Sequence, residues 1–270
     1  MIVVFGANGM LGRYVVSYLK KRFDIIPITR NNVDISSTES FGKINDFIKK
    51  SEPEYIINCA GSIKPIVDNQ EDDKTYIINS IFPQYLGHIS ETTNTKTFHI
   101  TTDCVYSGLK GPYDEYSIRD ANDTYGISKK LGESQYNCNI RTSIIGEEIS
   151  TKRSLVEWAK SNAGEQINGY TNHLWNGVTC LELAKYLNYL IQKDKWEPGT
   201  YHFWSESATK CQLLQLLSNI YGLDLLIKPV DAATPCDRTM YGERLAHDEY
   251  IPPNLAHQIE EMFLYRKQLE

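Results

Sequence analysis

Residues 2–12 read Ile2-Val3-Val4-Phe5-Gly6-Ala7-Asn8-Gly9-Met10-Leu11-Gly12. The four apolar residues predict a buried strand, and the G-x-x-G-x-x-G spacing after them predicts a tight turn that leads into a helix. The first turn of such a helix presents free backbone N–H groups, which bind phosphate. A glycine-rich turn alone is weak evidence, but its position between the first strand and the first helix favours a dinucleotide site. We therefore expect cofactor contacts from Gly6, Asn8, Gly9, Met10, Leu11 and Gly12.

Short apolar runs rich in Ile and Val alternate with helix-forming segments up to about residue 145, which is typical of a parallel sheet with helices on both faces. The fold class predicted from this pattern is α/β, with a Rossmann-like doubly wound parallel sheet. After the strand at 2–5, the expected strands are 24–29, 55–58, 97–101 and 139–143. The expected helices are near 10–22, 38–50, 72–93 and 124–136.

The alternation breaks after about residue 146. The sequence then predicts a helix at 179–193, a strand at 200–204 and a helix that ends near 221–222, which indicates a smaller α+β C-terminal substrate lobe. We expect an NAD(P)-binding domain over 1–146, with 174–204 packing back on it. Residues 147–173 and 205–270 are expected to form the substrate-binding lobe.

Charge and composition exclude several classes of protein. The 270 residues carry 28 Lys and Arg against 34 Asp and Glu, a net charge of -6, which argues against a nucleic-acid binder. No apolar run is long enough to span a membrane, and no basic region precedes the first strand as in a signal peptide, so we expect a cytoplasmic protein without a membrane partner. The six cysteines show no metal-site spacing, so no metal is expected.

The end of the second predicted strand bears on the choice of cofactor. An NAD-dependent enzyme often carries an acidic residue there for the ribose 2'-hydroxyl, whereas this chain has Thr29-Arg30-Asn31. Because Arg30 can pair with a 2'-phosphate, we expect NADP(H) to be preferred. NAD(H) stays an alternative, since Arg30 can also be a solvated surface residue and Asp34 can serve the adenosine.

Three Tyr-x-x-x-Lys pairs occur in the sequence, and on a helix this spacing places a phenol and an ammonium one turn apart. With 18 tyrosines in the chain, about one such pair is expected by chance. The three pairs are Tyr106/Lys110, Tyr125/Lys129 and Tyr189/Lys193. Tyr125 opens the helix before the fifth strand and follows Thr102, at the end of the fourth strand, by 23 residues. That position is the carboxyl edge of the sheet, where wound α/β proteins bind ligands. We expect Lys129 to lower the pKa of the Tyr125 phenol by about 3, which requires about 4 kcal/mol.

The motifs together resemble the extended short-chain dehydrogenase/reductases, and within them the dTDP-4-dehydrorhamnose reductase group. The resemblance covers residues 1 to about 146 and is carried by Gly6-x-x-Gly9-x-x-Gly12, Asn58-Cys59-Ala60-Gly61, Asn79-x-x-x-Pro83, Thr101-Thr102-Asp103-x-Val105-Tyr106, Tyr125-x-x-x-Lys129 and Arg141-Thr142-Ser143. It implies an oxidoreductase that reduces the 4-keto group of a nucleotide-linked 4-keto-6-deoxy sugar, as in dTDP-rhamnose and polysaccharide biosynthesis. It also indicates a homodimer paired through the helices near 72–93 and 124–136, although the sequence leaves the oligomeric state open.

Residue roles follow from the same resemblance. Tyr125 would donate the proton, Thr102 would bind the ketone oxygen, and Lys129 would hold the nicotinamide ribose. Cofactor contacts are implied for Cys59, Ala60, Gly61, Asn79, Tyr125 and Lys129.

Cys104 departs from the pattern of a simple 4-reductase, where an aromatic residue is common. If the fourth strand continues, Cys104 points to the same side as Thr102. In this respect the chain is similar to GDP-fucose synthase and plant-type UDP-rhamnose synthases, which implies a 3- or 3,5-epimerase activity with Cys104 as acid/base and His173 or Lys152 as second proton carrier. The alternatives are a buried packing cysteine and, because a regulatory subunit of methionine adenosyltransferase resembles the same family, a non-catalytic NADP-binding protein.

The second half offers candidates for binding the nucleotide sugar. Lys152, Arg153 and Arg238 are expected to meet the diphosphate, because it carries two negative charges. Trp175 or Tyr170 is expected to stack on the base or the sugar. Asp103, beside Thr102, is a further candidate substrate contact.

Overall fold

The structure is a computed structural model that describes residues 1–67, 72–149, 152–242 and 249–269. Its strands, in chain order, are β1 (Ile2–Phe5), β2 (Ile25–Ile28), β3 (Tyr55–Asn58), β4 (Lys96–Thr102), β5 (Cys138–Thr142), β6 (Ile144–Ile145), β7 (Gln166–Tyr170), β8 (His173–Trp175), β9 (Val178–Thr179), β10 (Gly199–His202), β11 (Ala208–Thr209), β12 (Leu226–Val230) and β13 (Cys236–Asp237).

The α-helices are α1 (Met10–Leu19), α2 (Phe41–Ser51), α3 (Lys64–Val67), α4 (Asp72–Tyr76), α5 (Phe82–Thr92), α6 (Thr124–Leu131), α7 (Leu155–Ser161), α8 (Cys180–Gln192), α9 (Lys210–Tyr221) and α10 (Leu255–Tyr265). A π-helix (Ile77–Ile81) joins α4 to α5. Short 3-10 helices occupy Thr38–Ser40, Asp103–Val105 and Arg266–Gln268.

Six parallel strands form the central sheet in the order β10-β5-β4-β3-β1-β2. From β1, the next strand β2 is added at one side of the sheet, whereas β3, β4, β5 and β10 are added in turn at the other side. The order of strands therefore reverses between β1 and β3, and doubly wound sheets bind ligands at the carboxyl edge of such a reversal. This arrangement confirms the predicted Rossmann-like α/β fold.

Apolar side chains cover both faces of this sheet, as the uninterrupted apolar runs of β1 and β3 predict. One buried cluster packs α1, α8 and α10 against the sheet and includes Tyr14, Leu187 and Ile259. The other packs α2 and α5 on the opposite face and includes Ile44 and Leu86.

Some predicted boundaries in the first half were wrong. The single helix expected at 72–93 is divided by the π-helix. The helix expected at 124–136 ends at Leu131, and a β-carbon at Gly132 would lie only 2.1 Å from the carbonyl oxygen of Asn79. The close approach between α6 and the π-helix thus requires glycine at that position.

The chain after β5 contributes both to the central sheet and to smaller sheets. β10 completes the central sheet beside β5, and α8 packs against α1. β7 pairs with β12, and β8 lies between β11 and β13. The sequence did not predict β7, β12 or α10. Among the helices of the described residues, none is long and apolar enough to cross a membrane.

Candidate functional site

The turn between β1 and α1 touches the loop after β3. Gly6 has φ of +74°, in the left-handed region, and a β-carbon there would lie 2.7 Å from the backbone nitrogen of Ala60. A β-carbon at Gly12 would lie 2.1 Å from the carbonyl oxygen of Gly6. Glycine at both positions therefore allows strand, helix and neighbouring loop to meet with no side chain between them.

A cavity lies beside this turn at the carboxyl edge. Its lining includes seven of the residues predicted to bind the cofactor, which are Gly6, Asn8, Gly9, Arg30, Cys59, Ala60 and Gly61. Its apolar lining includes Val33, Ile35, Ile66 and Ile78. Met10, Leu11 and Gly12 form the first turn of α1, and Gly9 at its N-terminus provides no side-chain cap, so the first backbone N–H groups are available for a phosphate.

The two charged candidates near β2 have different environments. Arg30 is exposed and lines the cavity. Asp34 is exposed but is not among the lining residues. The backbone N–H and hydroxyl of Ser36 both donate to the Asp34 carboxylate, which lowers its pKa. Asp34 thus has a local role in the turn, and its prediction as an adenosine contact stays untested.

Asn79 joins the loop after β3 to α6. It is fully buried on the π-helix; its Oδ1 accepts from the Ser62 N–H at 2.8 Å, while its Nδ2 donates to the Ser62 carbonyl and to Ser128 Oγ. The side-chain amide is therefore occupied by protein partners. These bonds fix the loop after β3 against α6, and the predicted cofactor contact of Asn79 stays a prediction.

Tyr125 and Lys129 are brought to the same edge by α6. Asp123 caps this helix by accepting from the Gly126 N–H at 2.8 Å. Lys129 is buried, and its ammonium donates to the Ile100 carbonyl at 2.9 Å. A β-carbon at Gly61 would lie 3.8 Å from Lys129 Nζ, so this ammonium reaches the loop that lines the cavity.

The electrostatics of this pair differ from the expectation. Burial raises the pKa of the Tyr125 phenol, and interaction with the Thr102 side chain offsets only part of the rise. Burial also lowers the pKa of Lys129 to about 8. In the protein chain by itself, the pKa of Tyr125 is therefore raised, with desolvation as the main cause, and not lowered by Lys129 as the sequence suggested.

The other two Tyr-x-x-x-Lys pairs do not form such a site. Tyr106 is fully buried, and its hydroxyl donates to the Asp114 carbonyl at 2.9 Å. Tyr189 donates to the Glu249 carboxylate at 2.7 Å in an exposed contact. Only Tyr125 among the three tyrosines lies beside Thr102 in the part of the chain that the structure describes.

The segment after β4 turns at Thr102 instead of continuing as a strand. Thr102 caps the 3-10 helix by accepting from the Cys104 N–H at 3.1 Å, and its hydroxyl donates to Asp103 Oδ1 at 3.1 Å. The assumption that alternation along a strand aligns Cys104 with Thr102 was therefore wrong. The turn nevertheless brings Cys104 close enough to interact with Tyr125.

The Cys104 thiol lies in a protected environment beside a cation. Burial raises its pKa to about 12, while Arg238, whose Nη1 is 3.8 Å from Sγ, acts in the opposite direction. The thiol is therefore neutral at physiological pH in the chain by itself.

Of the four charged residues predicted to contact the substrate, the fold brings only two close to Cys104. Arg238 and Asp103 lie beside Cys104, whereas Lys152 and Arg153 are exposed and, among the described residues, form no hydrogen bond to that group.

Three ring-bearing candidates also have protein partners. Trp175 is 3% exposed, so the prediction that it stacks on a base or sugar conflicts with its burial. The Tyr170 ring packs against His173 with centroids 4.8 Å apart. His173 Nε2 lies 3.1 Å from the Thr234 carbonyl, so this contact engages one of its two ring nitrogens.

Sequence reasoning missed Lys210, the first residue of α9. Its ammonium lies 5.4 Å from the centre of the Trp175 ring, and it interacts electrostatically with Asp103, Cys104 and Arg238. The sequence did contain a signal for it. The pattern Thr209-x-x-Gln212 marks the start of a helix, so Lys210 is predicted to lie in the first turn. A cation is unusual there because the helix dipole disfavours it.

A buried ion network supports the end of α6. The Glu133 side chain is 1% exposed and accepts two hydrogen bonds from Arg141, at 2.7 and 2.6 Å, and one from Arg119 at 2.7 Å. Burial raises the pKa of Glu133, but the bonds to Arg141 outweigh burial and bring it below its ordinary value. Glu133 in turn raises the pKa of Lys129, which opposes the effect of burial there.

Known proteins share both the sequence pattern and the fold. The family model for the RmlD substrate binding domain matches residues 1–241. The spore coat polysaccharide biosynthesis protein SpsK of Bacillus subtilis is 31% identical over 147 residues, which are 53% of this chain and 50% of that protein. The alignment thus reaches about half the length of that relative. A dTDP-4-dehydrorhamnose reductase of Aggregatibacter actinomycetemcomitans is 27% identical over 221 residues, covering 76% of this chain and 73% of that protein.

A solved structure supports the same fold. The dTDP-4-dehydrorhamnose reductase of Bacillus anthracis in complex with NADP superposes with a TM-score of 0.83, at 22% identity, over 97% of this chain and 98% of that one. Because the family model spans most of the chain, this protein belongs to the RmlD substrate binding domain family of the extended short-chain dehydrogenase/reductases.

Proposed function

We propose that this protein reduces the 4-keto group of a nucleotide-linked 4-keto-6-deoxy sugar with NADPH. The observation that carries the proposal is the meeting of Thr102, Tyr125 and Lys129 beside a cavity lined by the glycine-rich turn. These groups supply what carbonyl reduction needs from a protein, namely a hydrogen-bonding hydroxyl, a proton donor and a cation. The relatives named as dTDP-4-dehydrorhamnose reductases support the same substrate class.

The cavity fits a dinucleotide in its chemistry. Gly6 and Gly9 leave room for a diphosphate against the backbone, and the start of α1 offers it free N–H groups. Arg30 at the cavity would bind a 2'-phosphate, which favours NADPH over NADH. Reduced nicotinamide supplies a hydride when bound.

The protein's own residues manage the oxygen of the ketone. Thr102 would orient it, and Tyr125 would donate the proton that neutralises the developing alkoxide. Lys129 would stabilise the resulting phenolate from its fixed position at the Ile100 carbonyl, within reach of the loop at Gly61.

The test follows NADPH oxidation with dTDP-, UDP- and GDP-linked 4-keto-6-deoxy sugars. We expect turnover with one of them and at least a 100-fold loss in Tyr125→Phe, with nearly unchanged NADPH binding, because only the proton donor is removed. Tyr189→Phe is the matched control and should retain full activity. Turnover above about a tenth of wild type in Tyr125→Phe contradicts the mechanism. An NADPH-binding protein that reduces none of the sugars favours the non-catalytic hypothesis instead.

A second candidate is epimerisation next to the ketone by Cys104, favoured by the proximity of its thiol to Tyr125 and Arg238. With substrate and NADP+ present, an epimerase incorporates solvent deuterium at C3 or C5, whereas reduction alone does not. Cys104→Ser should then stop the exchange and leave reduction of an already epimerised ketone intact. Absence of exchange in the wild type leaves Cys104 as a packing residue.

We also propose that residues 1–146 with 174–204 form the cofactor domain. Two observations support this division, because β10 lies in the central sheet and α8 packs against α1. Residues 147–173 and 205–270 would then bind the sugar nucleotide.

A further inference from the structure

One carboxylate joins the helix that carries Tyr125 to the strand that carries Thr102. Glu133 lies at the C-terminal end of α6, directly after the cap residue Gly132, and its side chain is 1% exposed. Its Oε1 accepts from the hydroxyl of Thr101, the neighbour of Thr102 on β4, at 3.2 Å. The carboxylate is therefore fixed relative to both parts of the candidate site.

Helix stability does not account for an acid at this position. The C-terminal end of a helix is the negative end of its dipole, so a carboxylate there is disfavoured. Burial adds a second cost, because it raises the pKa of Glu133. Hydrogen bonds from Arg141 and Arg119 offset that cost and keep the carboxylate ionised. The protein thus holds a buried negative charge at the end of the helix that carries Lys129.

That negative charge acts on Lys129. The two residues are four apart, a spacing that places side chains on the same face of a helix. Among the described residues, Glu133 is the one carboxylate that acts on the Lys129 ammonium, and it raises the pKa that burial lowers. The Cys59 thiol, after β3, acts in the same direction, whereas the buried His99 of β4 is kept neutral by its lowered pKa. Tyr125, one turn earlier on α6, is neutral because burial raises its pKa.

We propose that Glu133 is a positioning residue of the reduction, which holds the Lys129 ammonium in its charged form. This inference rests on the proposed function, in which the charge of Lys129 stabilises the Tyr125 phenolate. Because bonds from Arg141 and Thr101 fix the carboxylate, removing its charge should change the ionisation of Lys129 rather than the place of a mobile side chain.

NMR titration of the full chain, labelled with carbon-13 at the Cε atoms of lysine, measures the ionisation of Lys129 without any substrate. The Lys129 signal is identified by its absence from Lys129→Arg. Its midpoint in the wild type should lie at about 8. Glu133→Gln should lower it by about one pH unit, the effect of a unit charge about 10 Å away at an effective dielectric of about 20.

Arg119→Gln is the matched control for this titration. It removes one hydrogen bond from the same carboxylate but keeps the negative charge, so the Lys129 midpoint should not fall. A general loosening of the end of α6 would instead lower the midpoint in both variants, because both lose a bond of Glu133.

The rate of reduction should follow the ionisation of Lys129. At pH 8 about one-half of the wild type but only about one-tenth of Glu133→Gln would carry the charge, whereas at pH 6 nearly all of both would. The ratio of kcat/KM at pH 8 to that at pH 6 should therefore be about fivefold smaller in the variant. In the Lys129→Arg background the same substitution should leave this ratio unchanged, because arginine stays protonated. A merely structural loss lowers the rate equally at both pH values.

A second variant covers the case in which Glu133→Gln does not fold, since that change leaves Arg141 without its counter-charge. Glu133→Gln/Arg141→Gln replaces the buried pair as a whole, which destabilises less than removal of one partner. It should also lower the Lys129 midpoint, because Glu133 and not Arg141 acts on Lys129.

The outcomes separate this inference from the proposed function. An unchanged Lys129 midpoint in the folded variants, the same fall in Arg119→Gln, or a rate ratio equal to that of the wild type overturns the inference, even where the wild type reduces the sugar. A lowered midpoint in a protein that reduces none of the sugars supports the hold of Glu133 on Lys129 and refutes the proposed function.

Discussion

Replacing Lys129 with arginine tests whether reduction depends on a buried charge that titrates near neutral pH. Burial lowers the pKa of Lys129 to about 8, so about nine-tenths of the protein carries this charge at pH 7 and about one-tenth at pH 9. Under the proposed mechanism this charge stabilises the Tyr125 phenolate, so kcat/KM of the wild type should fall about tenfold over this range. Arginine stays protonated throughout, so Lys129→Arg should lose the alkaline fall whatever its absolute rate.

The assay is NADPH oxidation at subsaturating sugar nucleotide between pH 6 and 10. Lys130→Arg is the matched control, since Lys130 is the next residue of α6 and donates instead to the Arg119 carbonyl at 3.0 Å. It should keep the wild-type profile. A flat wild-type profile from pH 7 to 9, or the same fall in Lys129→Arg, would refute the reasoning.

Destabilisation through Lys129 itself cannot cause this loss, because the stability contribution of Lys129 has the opposite sign. Its folded pKa of about 8 is below the ordinary 10.5, so between these values the unfolded chain binds more protons than the folded one. The contribution of Lys129 to the free energy of unfolding therefore rises with pH, by about 3 kcal/mol across that window. Denaturant unfolding at pH 7 and 9 measures this contribution as the difference between wild type and Lys129→Met.

Three further predictions concern the cofactor cavity and the ion network. Arg30→Ala should remove most of the preference for NADPH over NADH, about tenfold or more, and equal affinities in the unmodified protein would contradict this. Gly12→Ala should abolish NADPH binding or destabilise the fold, because its β-carbon would lie 2.1 Å from a carbonyl oxygen; Gly42→Ala meets nothing within 4 Å and should stabilise α2 by about 0.5–1 kcal/mol in urea unfolding. Glu133→Gln should lower the free energy of unfolding by about 3–5 kcal/mol because it leaves Arg141 without its counter-charge, and a loss below 1 kcal/mol would contradict that role.

The cofactor half could be predicted because its signals are local. The strand, the glycine turn and the helix of residues 2–19 adjoin one another in sequence, and each glycine is explained by a contact inside this unit or with the loop after β3. The Tyr125 and Lys129 pair could be chosen because the topology of a wound sheet places the end of β4 and the start of α6 at one edge.

The parts that could not be predicted depend on contacts between distant segments or on desolvation. Periodicity assigned Cys104 to a continuing strand, but the Thr102 hydroxyl ends that strand by capping the next turn. The bonds by which the Asn79 amide joins two protein segments link residues distant in the chain, so the sequence did not predict them. Lys210 becomes informative only when the fold sets it over Trp175 and beside Asp103.

The cations of the candidate site differ from the structural cations in their partners. Arg141 is bound to the Glu133 carboxylate, so its charge is neutralised within the protein. Lys129 and Arg238 are instead held by backbone carbonyls, and Lys210 lies over an aromatic ring. Neutral acceptors fix the direction of a cation but do not cancel its charge, so its field can act on a ligand, and burial reduces the screening of that field. The proposed binding of an anionic cofactor and an anionic sugar nucleotide by a protein of net charge -6 thus depends on a few placed charges, while the overall charge disfavours nucleic acid.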